Sequence, residues 1–267
     1  MDLGLKGASV VIAGGTTGMG RAAADCFAAE GAKVAVLART RSALDETAAA
    51  LLEEGAADAV GVATDLFDAE SVDAAIEQVA NRWDWINAVV NAAGPLEHGL
   101  QQFENYTDAE WHHAFDGLTL GAVRTVRAAL PHLRAAPWAR IVNVSAMSTK
   151  RQSPALVAYT AAKSALTSLT KNLSQSLAPY GILVNTVSPG TFVSDSFRQA
   201  LMKMPDVDED DLYDVMRYIN RGFGHHVFLD RAALPAEIGP VIAFAASAIN
   251  TYMTGANINV DGGSDFT

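Results

Sequence analysis

The chain predicts an α/β fold, an open, doubly wound sheet of about seven parallel strands with helices on both faces, and three observations carry that expectation. Short β-branched or apolar runs alternate with longer Ala-rich stretches. The runs are apolar on successive residues. No Pro-, Gly- or Ser-rich linker separates two compositions, so 1–267 reads as a single domain. Apolarity on successive residues marks strands covered on both faces, and strand–helix alternation gives parallel neighbours joined by right-handed crossovers.

Taken in order, the strand runs are Ala8–Ala13, Lys33–Ala38, Ala59–Ala63, Ile86–Val90, Arg140–Ser145, Ile182–Val187 and Asn257–Val260. Between them, Arg21–Glu30, Ser42–Glu54, Ala69–Arg82, Gly121–Arg134 and Ala158–Leu177 carry helical patterns. The segment 191–234 breaks the rhythm: it is long, lacks a strand pattern, and mixes Phe192, Phe197, Met202, Met204, Met216, Tyr218 and Phe223 with charges. It reads as a substrate lid, although a helix packing its own apolar face has the same composition. Within it an acidic run, Asp206, Asp208, Glu209, Asp210, Asp211 and Asp214, fits the start of a solvated helix, where the backbone dipole favours negative charge, more than an acidic docking site.

Composition narrows the function. Half of the 267 residues are apolar and 18% are charged, which excludes a disordered chain. Nineteen Lys and Arg against 30 Asp and Glu give a net charge of −11, which disfavours nucleic acid and anionic lipid as partners. The single cysteine, Cys26, allows no internal disulfide, and no apolar stretch approaches the roughly 18 residues of a membrane helix. Met1–Lys6 lacks the layout of a signal peptide, so a soluble, cytoplasmic protein is expected.

In such sheets ligands bind beyond the carboxyl ends of the strands. After the first strand comes Gly14-Gly15-Thr16-Thr17-Gly18-Met19-Gly20, followed by a helical stretch. Glycines there permit a tight turn and close approach of backbone N–H groups to a pyrophosphate, with the helix N-terminus adding positive potential. The spacing G-x-x-x-G-x-G differs from the G-x-G-x-x-G fingerprint. After the second strand stand Arg39 and Arg41, where a dinucleotide's adenine ribose would lie. Arg matches a 2′-phosphate with forked donors, so NADP is expected over NAD. Asp65, before Leu66, suits either the adenine amino group or a helix cap.

Tyr159 and Lys163 are four residues apart in an Ala-rich helical stretch and therefore share a face. A neighbouring ammonium stabilises phenolate, so the pair predicts a Tyr whose pKa falls toward working pH, a usable general acid or base.

With the Gly14, Gly18 and Gly20 turn, Asn91-Ala92-Ala93-Gly94, Tyr159 with Lys163, Ser188-Pro189-Gly190 and the ending Val260-Asp261-Gly262-Gly263, the chain resembles the short-chain dehydrogenase/reductase family. The resemblance implies a Rossmann-type fold and hydride transfer between a nicotinamide and a carbonyl or alcohol carbon. It makes Tyr159 the proton donor or acceptor and Lys163 both a ribose ligand and the group that acidifies Tyr159. Cofactor contacts are implied for Gly14, Thr16, Thr17, Gly18, Met19 and Gly20, and for Arg39, Asp65 and Leu66. They extend to Asn91, Ala92 and Gly94, and to Pro189, Gly190, Phe192 and Ser194, the last at the family's carboxamide-side Thr. A homotetramer or homodimer joined through Gly121–Arg134 and Ala158–Leu177 is implied as well.

Two positions depart from the family pattern. The catalytic Ser falls at Ala146, and the helix Asn falls at Leu118. If the chain stays extended past the fifth strand, Ser148 lies on the same side as Ala146 and Ser145 on the other, which makes Ser148 the surrogate hydroxyl. The leading expectation is an NADP-dependent dehydrogenase or ketone reductase acting on an apolar small molecule. The other is a dinucleotide-binding regulatory or scaffold protein with an impaired catalytic site. The pairs His112-His113 and His225-His226 lack metal-ligand spacing, so no metal is expected, while His98 and His225 stand as candidate substrate contacts. No G-x-S-x-G elbow marks an acyl-transfer triad.

Overall fold

The first apolar run forms the middle of the sheet. The computed structural model describes residues 2–94, 101–204 and 206–264. In it β1 (Ser9–Ala13) is buried at every position and pairs in parallel with β2 (Lys33–Ala38) on one side and β4 (Ala88–Asn91) on the other. β3 (Asp58–Ala63) continues the sheet beyond β2. β5 (Ala139–Val144), β6 (Ile182–Pro189) and β7 (Asn257–Val260) continue it beyond β4, giving the all-parallel order β3-β2-β1-β4-β5-β6-β7. The strand order reverses between β1 and β4, which opens a crevice at their carboxyl ends.

Successive strand residues feed opposite cores, as a two-period pleat requires. Val10, Ile12, Val34 and Val36 pack with Ala23, Ala24 and Phe27 of α1 (Gly18–Ala29) on one face. Val11, Ala35 and Leu37 pack on the other face with Val72, Ile76 and Val79, which belong to the third helix in the chain. That helix, α3 (Ala69–Trp83), follows α2 (Arg41–Glu53), and Asp68 caps it by accepting from the Glu70 N–H. Each large aliphatic or aromatic side chain so buried contributes roughly 1.5–3 kcal/mol.

The five helical stretches are present, the acidic run starts a sixth, and the described residues hold three more that the sequence pattern does not mark. α4 (Asp108–Phe115) starts at a capping box between Thr107 and Glu110 and passes through a wide π-type turn, Asp116–Leu120, into α5 (Gly121–Ala135). α6 (Val157–Leu177) carries Tyr159 and Lys163. α7 (Asp195–Leu201), α8 (Leu212–Phe223) and α9 (Gly239–Ala245) complete the set. The three unmarked helices, α4, α7 and α9, are short, and short helices depend on caps and tertiary packing more than on periodicity. Boundaries differ by a residue or two: β4 begins at Ala88, and just before it the Asn87 side-chain oxygen accepts from the Ser9 N–H at 3.0 Å.

Segment 191–234 packs largely on itself. Val193, Leu201, Val215, Met216, Ile219, Val227 and Ala232 form a small separate core, while Met202 and Met204 are exposed. The acidic run does begin a helix. Asp211 caps α8 through the Tyr213 N–H, and Asp214 in its first turn pairs with Arg217 at 3.1 Å. Among the described residues no helix is long and apolar enough to cross a membrane.

Candidate active site

Two clefts meet at the carboxyl ends of the strands, sharing Met19 and Gly94 as common walls. The first, of about 360 Å³, is bounded by the turn after β1 and by the ends of β2, β3 and β4. The second, of about 310 Å³, lies between the end of β5, the start of α6 and segment 191–234.

The glycine turn is built for close backbone approach. Gly14 has φ of +82°, and a Cβ on Gly20 would stand 2.1 Å from the Gly14 carbonyl oxygen, so any side chain there would push α1 off the turn. The opening of α1 therefore points free backbone N–H groups at the first cleft. Gly14, Thr17, Gly18, Met19 and Gly20 line it, as do Arg39, Asp65, Leu66, Ala92, Gly94 and Ser194. The Ser194 hydroxyl also caps α7, accepting from the Phe197 N–H at 3.4 Å.

Several expected residues stand elsewhere. Thr16 lines neither cleft, and Arg41 pairs with Asp45 on the surface. Asp65 does not cap α3, since Asp68 does; its carboxylate accepts from the Phe67 N–H at 3.0 Å. Asn91 is buried behind the clefts, donating to Asn143 Oδ1 at 2.8 Å. Pro189, Gly190, Phe192 and Tyr159 line the second cleft.

Ala93, within the Asn91–Gly94 turn, lines the first cleft too, whereas sequence reasoning overlooked Leu37, Ala38, Thr64, Phe67 and Gly117 there. Leu37 and Ala38 end a strand, where the crevice rule could have found them. Phe67 and Gly117 carry no local signal. The Phe67 ring stacks on His113 at 4.7 Å, and a Cβ on Gly117 would come within 2.8 Å of it.

Tyr159 and Lys163 share one face of α6, and the Lys163 Nζ lies 5.9 Å from the Tyr159 ring centroid. The expected acidification of the phenol is not what the structure shows. Burial pushes Tyr159 up to about 12 and Lys163 down to about 8, because desolvation penalises both charged forms more than the pair compensates. Lys163 is held by a bond from Nζ to the Val144 carbonyl at 2.8 Å. Gly94 closes over it: a Cβ there would sit 3.0 Å from Nζ and 2.8 Å from Leu118 Cδ2. Leu118, on the π-type turn, is buried beside them.

Ala146, Ser148 and Tyr159 line the second cleft together. Ala146 is extended, with φ −159° and ψ 149°, but the chain then coils into a single 3-10 turn, Met147–Thr149. The parity argument for Ser148 thus holds only as far as Ala146, and it is the turn that returns Ser148 to the cleft. Its Oγ accepts from Thr160 Oγ1 at 3.1 Å, leaving its own O–H to donate. Ser145 faces away, donating to the Lys163 carbonyl at 3.1 Å and lying 2.8 Å from Thr167 Oγ1. His225 also lines this cleft, whereas His98 lies outside the described residues. Among the described residues no cluster of His, Cys, Asp or Glu could hold a metal ion.

The family model for short chain dehydrogenases matches residues 8–204. The chain belongs to the short-chain dehydrogenase/reductase family. Its relatives include the isoepoxydon dehydrogenase of Penicillium expansum, 33% identical over 98% of this chain and 96% of the relative. Among solved structures it is similar to the L-sorbose reductase of Gluconobacter frateurii complexed with NADPH and L-sorbose, at TM-score 0.90 and 29% identity over the whole of both chains. It is also similar to a short chain oxidoreductase of Pseudomonas aeruginosa described as containing an atypical catalytic center. That match has TM-score 0.88 and 29% identity over 98% of each chain. As a family member the chain is a nicotinamide-dependent oxidoreductase, and its clefts occupy the crevice where such folds hold the dinucleotide.

Proposed function

We propose that this short-chain dehydrogenase/reductase is an NADP-dependent ketone reductase or alcohol dehydrogenase for a mainly apolar small molecule. The observation that carries the reading is the adjacency of the two clefts: the glycine-turn cleft and the one holding Tyr159 and Ser148 share Met19 and Gly94 as walls. The first cleft fits a dinucleotide, because Gly14 and Gly20 let the turn pack tightly against Ala93 and α1, so that the helix start lines the cleft, and Arg39 lines the β2 end. When bound, the nicotinamide supplies or accepts the hydride.

The chain's own groups handle the proton and the developing charge. Tyr159, held protonated at neutral pH, gives its phenolic proton to the carbonyl oxygen as carbon gains hydride, so a C=O becomes a secondary alcohol. Ser148, two residues beyond the family's Ser position at Ala146, donates a hydrogen bond to that oxygen, with Thr160 orienting it. Lys163, pinned to Val144, holds a positive charge beneath Gly94 and steers the nucleotide sugar. Leu156, Phe192, Phe197, Ile219 and Phe223 give the second cleft its apolar walls.

A second reading is favoured by Ala146 and Leu118, two buried apolar side chains at the family's Ser and Asn positions: a dinucleotide-binding regulatory protein without efficient turnover. One experiment separates them. NADPH and NADH are titrated by fluorescence, and absorbance at the nicotinamide band is followed over a panel of ketones, diketones and secondary alcohols. Turnover that Tyr159→Phe abolishes supports the reductase; NADPH binding with no oxidation on any substrate supports the regulatory reading.

A further inference from the structure

The hydroxyl assigned to the substrate oxygen stands on a slight support. Ser148 is the middle residue of the single 3-10 turn Met147–Thr149, whereas Ala146, at the family's Ser position, still has the extended backbone of β5. Turns of this kind have poorer hydrogen-bond geometry than a strand ladder. Here the Thr149 N–H reaches the Ala146 carbonyl at 3.2 Å, and the Lys150 and Arg151 N–H groups share the Met147 carbonyl. From Arg151 to Leu156 the chain then runs without helix or strand until α6 begins. A donor that serves a developing oxyanion has to be held to within about 0.5 Å, so a turn this short needs a brace from outside.

The segment after β7 supplies one. Gly262 and Gly263 take φ of +67° and +84°, a left-handed path open to glycine, and bring Ser264 against the turn. Ser264 is fully buried. Its Oγ lies 2.8 Å from Met147 Sδ and 2.9 Å from the Asp261 carboxylate, and its carbonyl accepts from the Arg151 guanidinium at 3.1 Å. Met147 precedes Ser148 and Arg151 follows it by three, so one residue grips the chain on both sides of the donor. The brace is itself anchored, since the Leu229 N–H donates to the Gly262 carbonyl at 3.1 Å. Ser264 lines neither cleft and so lies outside the walls that would meet substrate or nucleotide. We infer that Ser264 is a positioning residue that acts through Ser148, holding the 3-10 turn so that the Ser148 hydroxyl meets the substrate oxygen. This rests on the reductase reading, in which Ser148 is that donor, and adds the residue that keeps it in place.

The test follows NADPH oxidation with the best accepted of cyclohexanone, acetophenone and diacetyl in the wild type, Ser264→Ala, Ser148→Ala and the double variant. Ser264→Ala is expected to lower kcat by at least about tenfold, as displacement of a catalytic group by a fraction of an ångström does, with the Kd for NADPH unchanged. In the Ser148→Ala background the same substitution is expected to change kcat by less than about twofold, because no hydroxyl is left to misplace. A merely structural role would lower kcat by the same factor in both backgrounds, and that result overturns the inference. So does a wild-type rate in Ser264→Ala while Ser148→Ala is impaired; both results leave the reductase reading intact. A wild-type rate in Ser148→Ala removes the donor and its brace together, and no oxidation with any of the ketones removes the reductase reading as well. Should Ser264→Ala fail to fold, Arg151→Leu, which removes the bond to the Ser264 carbonyl, is read by the same comparison of backgrounds.

Discussion

The Lys163 Nζ donates to the Val144 carbonyl at 2.8 Å, tying the middle of α6 to the last residue of β5, two positions before Ala146. Because Lys163 is a buried cation with no carboxylate partner among the described residues, desolvation drags its pKa down to about 8. The tether therefore holds a charge at the cleft floor at the expense of stability, a trade that the proposed role of Lys163 in the reaction would account for.

That trade is measurable in the nucleotide-free protein. The unfolded chain holds the Lys163 proton up to about pH 10.4, the folded chain only up to about 8, so between these values wild-type stability rises with pH. Lys163→Met should lose turnover yet unfold at a higher temperature at pH 7. The gain is at most about 3 kcal/mol, reduced by loss of the bond to Val144. Thermal melts from pH 7 to 10 should show the gap between variant and wild type narrowing; a constant gap would remove the buried-charge explanation.

Tyr159 predicts an asymmetry between the two directions. With its pKa near 12, the protonated phenol that reduction needs is abundant at neutral pH, whereas the phenolate that alcohol oxidation needs is scarce. Oxidation of a secondary alcohol with NADP should climb by about tenfold per pH unit from pH 7 toward 10, until another step limits. Initial rates at saturating cofactor check this, and a plateau near pH 7 would mean a much more acidic phenol.

The missing hydroxyl at Ala146 gives a matched pair of variants. Removing one donor to a developing oxyanion costs about 10²–10³ in rate, so Ser148→Ala should lower kcat by that order if Ser148 serves the substrate oxygen. Ala146→Ser restores the family's donor and should raise carbonyl reduction at least about tenfold. When the two substitutions are combined, the hydroxyl introduced by Ala146→Ser should make that of Ser148 dispensable. Unchanged turnover in a folded Ala146→Ser protein would show that this hydroxyl does not limit the reaction.

In the proposed reading Arg39 is the residue that selects NADPH over NADH. It lines the first cleft at the β2 end, while Arg41 is engaged with Asp45 at 3.2 Å. Arg39→Leu should weaken NADPH binding by about tenfold to a hundredfold, as loss of a charged hydrogen bond does, and leave NADH little changed. Fluorescence titration with both reduced nucleotides distinguishes this from general damage to the cleft, which would weaken the two equally.

The amino-acid sequence by itself determined the sheet, the glycine turn and the Tyr–Lys face. Each of those is written in local spacing: apolar runs for strands buried on both sides, glycines where backbones approach, and four residues for one helical turn. It also located Ala146 and Leu118 as departures, since counting along a motif needs no coordinates. Only the tertiary structure decided what those residues experience. The proximity of Tyr159 and Lys163 suggested an acidic phenol, but the fold buries both groups, and desolvation outweighs their mutual effect across 5.9 Å. Ser148 reaches the cleft through a 3-10 turn that strand parity does not describe. Phe67 and Gly117, far apart in the chain, meet in the first cleft, and His225 enters the second from beyond α8. Such arrangements are set by which distant surfaces pack together and exclude water, and that information is spread over the whole chain.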